Sequence, residues 1–411
     1  MVFGNESSLR HLPFFEEVAT HEEHEAEWRA ATAGLVVLRL FDAWLEEGAS
    51  AVVPDSWNVR AVRTAIEEMD DGTPMRAILG SIVDAMQTSK GADTHEAMPR
   101  LMAYARALQY DAKSSLAVDV YDTVVAHTHP LKESDTAIAA HQQRGACLRT
   151  LGRFEEAQAA YAAAGAVAEQ AGDMIGVLRA RIGDAKIAVA RGNLPYAESV
   201  LDETIASAAQ HGVTMVHSMA LHDRAMVAGL RGNHELTIQL AYEALSEAEL
   251  PTERDRILGD IGTAFHMLGI RSAARDAFLV LSATAQEQYA RWVAMLSLMT
   301  IAAEDGFEPV FLQFRRSLSS VPLPPELRTE YFIRLGQSHR ALGQDDPSQI
   351  AFAKAVQLAE HHGFNTLLFE AEQLLTATAQ PEPRVAKVPP DTVAGIADAV
   401  RDMRESALVG R

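Results

Sequence analysis

Histidine and carboxylate side chains sit side by side in His21-Glu22-Glu23-His24-Glu25, the run in this chain that most invites a metal reading. A zinc-protease helix needs two histidines four residues apart on one face, with a general-base glutamate between them. Here His21 and His24 are three apart, and the residue four after His21 is Glu25. The ligand pair is not formed, and the run reads as the solvated acidic start of a helix. His127 with His129, and His361 with His362, fall near expected helix ends, where imidazoles bond the last carbonyls or face water. Cys147 is the only cysteine, so no internal disulfide and no cysteine zinc cluster is available. Its place inside an expected helix suits a small buried hydrophobe better than a nucleophile. The sequence contains no GxSxG, no GxxxxGK[ST] and no GxGxxG between a strand and a helix. No catalytic residue, metal ligand or cofactor site is expected, and the chain reads as a protein that is not an enzyme.

The elements carrying these residues are expected to be helices. Hydrophobic residues make up 48% of the 411 residues, much of that alanine, while aromatics are only 6%. Alanine-rich, β-branch-poor sequence favours helix. A chain this long exceeds what one growing core supports, which leaves several domains or an elongated repeat array. The net charge of −20 repels phosphate backbones and anionic lipid, so neither nucleic acid nor membrane is an expected partner. The first 25 residues lack a basic region followed by an apolar run, and no charge-free apolar stretch of about 18 residues occurs. Even Leu35 to Phe41 is interrupted by Arg39. A cytoplasmic location is the expectation.

A fixed period organises the middle of the chain. Gly152, Gly192 and Gly232 are spaced 40 residues apart, each between two helical patterns: LGRFEEAQAAY from Leu151, RGNLPYAESVL from Arg191 and RGNHELTIQLA from Arg231. Stepping back by 40 reaches Ala112 and then Gly72. Stepping forward, the period shortens to 37 through Gly269, Gly306 and Gly343. Eight consecutive units are thereby expected.

Gly145, Leu148, Gly152, Phe154, Ala157, Tyr161 and Ala164 fall at the spacing of a tetratricopeptide repeat, and the sequence resembles that family over roughly residues 57 to 380. Gly262, Phe265, Ala274 and Phe278 repeat the pattern, as do Gly336, Phe352 and Ala355, and Leu108, Ala117 and Tyr121; the units around Gly72, Gly232 and Gly306 match more loosely. The resemblance implies an all-α fold: a right-handed superhelical solenoid of antiparallel helical hairpins, with small residues where two helices approach and larger ones filling the seam. The family repeat is 34 residues, so 37 to 40 implies helices about a turn longer, a variant similar to the sensor arms of bacterial signalling regulators and peptide-pheromone receptors.

That resemblance implies binding of a protein or peptide segment along the wall of first helices. Mapped onto the repeat register, the groove-facing side chains are Gln142, Gln143, Arg149, Arg179, Lys186, His222, Asp223, Met226, Arg256, Asp260, Thr263, His266, Thr300, Arg334, Gln337 and Arg340. Basic side chains outnumber acidic ones there, which suits an acidic segment or a C-terminal carboxylate. Equally, these cations can pair with acids on adjacent helices and line nothing. The family's clamp for chaperone tails uses lysine and asparagine, whereas Gln142 and Ala146 hold the corresponding first-unit positions, which disfavours that partner.

The ends differ. Residues 1–56 read as an N-terminal helical cap in which Thr20 to Glu47 forms one long helix with Trp28, Leu35, Leu38, Phe41 and Leu45 on its apolar side, closed by Gly48 and followed by Pro54. Residues 57–380 read as the solenoid, with Phe364 to Thr378 as its last helix. Residues 381–411 begin with a linker containing Pro381, Pro383, Pro389 and Pro390. Asp391 then caps a helix to about Leu408, with Val393, Ile396, Val400 and Met403 as a narrow apolar stripe. That stripe needs a surface. It could fold into the groove or onto an outer face as an autoinhibitory element, cover the last unit, or remain a tail. An alternative function follows: a regulatory sensor arm controlling a separately encoded output protein.

Overall fold

Three-residue turns with one left-handed residue at their centre recur through the chain, and they set its architecture. The computed structural model describes residues 10–23, 25–54, 56–89, 93–130, 132–376 and 390–409, and every regular element among them is helical. Residues 1–187 and 188–411 form two compact units. The first contains α1 (Leu12–Thr20), α2 (Ala26–Glu47), α3 (Trp57–Glu67), α4 (Pro74–Thr88), α5 (Met98–Tyr110), α6 (Ser114–His127), α7 (Ser134–Thr150), α8 (Phe154–Ala171) and most of α9 (Met174–Ala190). The second contains α10 (Leu194–His211), α11 (Thr214–Leu230), α12 (His234–Glu247), α13 (Pro251–Met267), α14 (Arg271–Thr284), α15 (Gln288–Glu304), α16 (Glu308–Ser319), α17 (Pro325–Ala341), α18 (Asp345–His362), α19 (Asn365–Thr376) and α20 (Asp391–Val409). Each unit is an all-α solenoid of stacked antiparallel helical hairpins.

Gly152, Gly192, Gly232, Gly269, Gly306 and Gly343 have φ between 71 and 77°, and Ala112 takes the same conformation at φ 61°. In each turn the next residue's N–H reaches back over the helix end: Arg153 to the Leu148 carbonyl at 2.9 Å, Ile270 to Phe265 at 2.9 Å, Gln344 to His339 at 2.8 Å. These bonds satisfy carbonyls left open by the helix terminus, and the left-handed residue is what lets the chain make them. At Ala112 a side chain is carried where glycine would be free of strain. Gly72 does not share this conformation. The expected eight equivalent turns are therefore seven: the longer connection from α3 runs into Pro74, whose missing N–H suits a helix start.

Packing within a hairpin follows a small-to-large rule. A Cβ on Gly145 would lie 3.0 Å from the Tyr161 ring, one on Gly262 2.9 Å from Phe278, and one on Gly336 2.5 Å from Phe352. The ring sixteen residues downstream thus occupies the space the first helix leaves empty. Tyr161 also fills the notch over Gly183, where a Cβ would sit 2.3 Å from its ring.

The first helices α7, α9, α11, α13, α15 and α17 are all 17 residues long. Second helices vary. α8, α10 and α18 run 18 residues and end on left-handed Gly172, Gly212 and Gly363. α12 and α14 have 14 residues and α16 has 12, each without that terminal glycine. The shorter step of the sequence period lies in these second helices.

At the N-terminus the long helix expected from Thr20 to Glu47 is the unbroken α2, ending before Gly48 as expected but starting at Ala26; Thr20 instead closes a separate helix, α1. Between them His21 is extended, at φ −111° and ψ 156°, and the Glu25 carboxylate accepts from the Glu22 N–H at 3.0 Å. Phe14, Leu38, Phe41 and Trp44 join the core that contains Leu101, Tyr104 and Tyr121, so α1 and α2 are continuous with the hairpins of their unit. α1 is anchored by His11, whose Nδ1 lies 2.7 Å from Asp119 on α6 and whose Nε2 lies 3.2 Å from Asp42 on α2.

The C-terminal helix neither enters the first-helix wall nor stands free. α20 packs across the second helices α12 and α14, with Val393 and Val400 fully buried and Ile396, Ala397 and Met403 beside them. Thr392 accepts from Gln239 at 3.1 Å, and Arg404 donates to the buried Asp276 carboxylate at 2.8 Å. Pro381, Pro383 and Pro389 of the expected linker lie outside the described residues, as do residues 377–380, and Pro390 is exposed.

Candidate functional site

The first helices of the second unit present the largest share of the sequence-expected site. On α11 the side chains at 219, 222, 226 and 230 share one face; on α13 those at 256, 260, 263 and 267 do. Met226, Leu230, Arg256, Thr263 and Met267 are exposed on these two faces. Between them, the His222 imidazole bonds Asp260 at 2.6 Å, joining α11 to α13. One step further, His266 bonds Glu304 at 2.7 Å, joining α13 to α15. Each pair spans 38 residues and fixes neighbouring first helices side by side. His217 makes a third such bond, within a hairpin, to Glu247 on α12 at 2.6 Å.

These pairs change the charge expected of the wall. His222 and His266 are each engaged by a carboxylate, and Arg334 bonds Glu330 at 3.3 Å on its own helix. Arg340, expected in the groove, is buried: its guanidinium lies 4.7 Å over the Phe352 ring and donates to the Leu374 carbonyl at 2.8 Å, tying α17 to α19. The ring that fills the notch over Gly336 draws Arg340 inward. Thr300 is also buried, donating to the Leu296 carbonyl at 3.1 Å. Thr263 bonds the Gly259 carbonyl at 3.0 Å while remaining exposed. Asp223 and Gln337 are half-buried. Arg256 is exposed and forms no ion pair among the described residues, which makes it the open cation of this face.

In the first unit, Gln142 is buried with both amide atoms lacking a hydrogen-bond partner among the described residues. Gln143, Arg149, Arg179 and Lys186 are half-buried, and the Arg149 Nε is enclosed without an acceptor.

Cys147 is fully buried, and burial pushes its thiol up to about 12, so it stays protonated at neutral pH. His21 lies 3.4 Å from Glu17 and 3.1 Å from Glu25, and His24 lies outside the described residues. His361 and His362 meet edge to face at 4.7 Å, with His362 stacked on Phe364. Burial lowers the pKa of His127, which sits edge-on to Phe41. Among the described residues no group of three or more His, Cys, Asp or Glu side chains could hold a metal ion, and no helix is long and apolar enough to cross a membrane.

Sequence reasoning passed over the carboxylate that anchors α20. Asp276 lies seven residues past its turn glycine, as Asp119 lies seven past Ala112 and Gln239 seven past Gly232, and all three hold an accessory helix. That shared register was the available signal.

No protein-family model and no curated protein matches this sequence. Among solved structures, the chain is similar to the Rap conjugation gene regulator of plasmid pLS20 in complex with the Phr* peptide, at 11% identity over 92% of this chain and 98% of that one, with a TM-score of 0.45. It is similar to a Rap protein complexed with competence and sporulation factor, at 13% identity, 92% and 100% coverage and a TM-score of 0.45. A signal transduction ATPase with a tetratricopeptide repeat sensor, from Pyrococcus horikoshii, aligns at 11% identity over 90% of this chain and 68% of its own, with a TM-score of 0.42. None of these likenesses reaches a TM-score of 0.5, and no site residue is carried over from them.

Proposed function

We propose that this protein is a polypeptide-binding scaffold without chemistry of its own, and that a segment of a partner lies on the first-helix face of α11 and α13. The observation that carries this reading is the exposed row of Met226, Leu230 and Met267 beside Arg256 and Thr263, on helices held in register by the His222–Asp260 bond. The unbranched, polarizable Met226 and Met267 adapt to varied partner surfaces, Leu230 adds apolar area, and an arginine without an ion pair among the described residues selects a carboxylate by its planar fork. The ligand class is therefore an extended or helical segment with an acidic residue or a free C-terminus. Capture from native lysate tests it. The double variant Met226→Asp, Arg256→Glu should lose a partner that the wild type retains, with helicity unchanged; identical capture by both proteins would remove this face from the mechanism.

A second reading, a sensor arm for a separately encoded output protein, is favoured by the position of α20. Its seat on α12 and α14 leaves the α11–α13 face open while touching the second helix of each hairpin that forms it. In this reading the extended repeat, 37 to 40 residues long, is that of signalling-regulator arms, and a segment bound to the first helices is sensed by α20 through the hairpins. Deleting residues 391–411 separates the two: tighter partner binding supports restraint by α20, and loss of solubility with unchanged affinity makes α20 a cover for α12 and α14.

A further inference from the structure

We propose that the groove between α16 and α18 is a docking site for an amphipathic helix of a partner protein, one whose apolar stripe is flanked by a carboxylate. This surface is separate from the α11–α13 face and does not depend on it. The groove has a volume of about 650 Å³, with Phe332 and Leu335 of α17 in its floor, Ile350 on its α18 wall and Arg315 on α16.

Its openness follows from the repeat. Nine residues past the turn, four other hairpins place Tyr121, Tyr161, Phe278 and Phe352 and two place the buried aliphatics Leu201 and Ala241; the α15–α16 hairpin alone places a charged side chain there, Arg315, and its first helix carries Met299 where Gly145, Gly262 and Gly336 stand elsewhere. Met299 is fully buried and supplies the missing bulk from the other side. No ring draws α16 inward, and with 12 residues it is the shortest of the second helices from α8 to α18.

Its occupant follows from the register shared by the accessory helices. Seven residues past the turn, Asp119 anchors α1, while Gln239 and Asp276 anchor the two ends of α20. The equivalent residue of α18 is Ile350, 71% exposed beside the groove. An apolar anchor at the position where two other helices dock calls for the apolar stripe of a third.

Charge selects which helix. Arg315 lies beside Tyr331 and Lys354 donates to Gln357 at 2.7 Å, and neither meets a carboxylate among the described residues of an acidic chain. Burial lowers the pKa of His339 in the floor, outweighing the opposite pull of its Nδ1 bond to Gln344 at 2.6 Å. α20 engages its own seat through Arg404 on the buried Asp276, and the equivalent position of this groove is Ile350, so Arg404 of a second copy of α20 would find no carboxylate here.

The test uses the full chain and a labelled 19-residue peptide of the α20 sequence, residues 391–409, carrying Arg401→Glu and Arg404→Glu, followed by fluorescence anisotropy. Saturable binding is expected, several-fold tighter than for the unaltered peptide, weakened about tenfold or more by Ile350→Asp and unchanged by Met226→Asp. Arg315→Glu should weaken it too, and Lys354→Glu, an exposed position, serves the same purpose if Arg315→Glu lowers the thermal midpoint. Absence of saturable binding, or binding indifferent to Ile350→Asp, would overturn the proposal. So would binding abolished by Asp276→Arg alone, which would place the peptide in the α20 seat. A dimer of the wild type in sedimentation, lost in Ile350→Asp, would give the groove to a second copy and overturn the proposed occupant.

Discussion

α12 with α14, and α16 with α18, are neighbouring pairs of second helices in one stack, yet α20 covers the first pair and nothing covers the second among the described residues. The covered pair offers Gln239 and the buried Asp276, to which Thr392 and Arg404 are matched. The bare pair offers Ile350 and Arg315, where Arg404 of α20 would find no carboxylate to replace Asp276. A solenoid repeats its backbone and not its surface, so one register position decides what docks on each hairpin.

The largest expected effect tests whether the two pairs are equally sound inside. Phe278→Ala and Phe352→Ala each empty the notch over a glycine and should cost about 3–5 kcal/mol, read from denaturant unfolding. A much smaller loss at Phe352 would mean that the bare hairpin is loosely packed, and its groove a defect of packing.

Next come the two accessory helices, anchored by chemically different cations. Burial alone would lower the His11 pKa, but hydrogen bonds to Asp119 and Asp42 outweigh it and raise the value to about 9. Because the folded value lies above the ordinary 6.5, the stabilisation, about 3 kcal/mol at most, is fully present below pH 6.5 and is lost as pH rises through 9. Amide exchange in α1 should accelerate over that window in the wild type and be insensitive to it in His11→Gln. α20, held by an arginine that stays charged, should show no such dependence; a parallel loosening of α20 would erase the contrast. Arg404→Ala leaves the buried Asp276 without its partner and should loosen α20 by about 2 kcal/mol in local exchange. Smallest is Ile350→Ser, an exposed change expected to stay within about 0.5 kcal/mol; a large destabilisation would mean that Ile350 is already covered.

The hairpins were legible because their turns need a residue tolerant of positive φ, and glycine marks it at six of seven positions. Ala112 was found only by stepping the period, since its side chain gives no local sign. Gly72 misled for the converse reason: glycine permits that conformation without requiring it. The later start of α2 was not legible because residues 20–25 favour helix, and the bond from the Glu22 N–H to the Glu25 carboxylate is a contact that no residue type announces. The wall residues were legible as a face, but pairing was not. His222 and Asp260 are 38 residues apart, and Arg340 is drawn inward by a ring and by α19. The stripe on α20 announced that it must be buried; its seat rests on Asp276, which in sequence looks like any surface acid.

The central claim is that the first-helix face of α11 and α13 holds a polypeptide. Site-specific photo-crosslinking in the cell addresses it most directly, with the photoreactive residue at exposed Thr263 and, as a reference, at exposed Gln210 on the second helix α10. A discrete protein adduct from position 263 and none from 210 is the predicted result; no adduct at 263, or the same adduct from both positions, would contradict it.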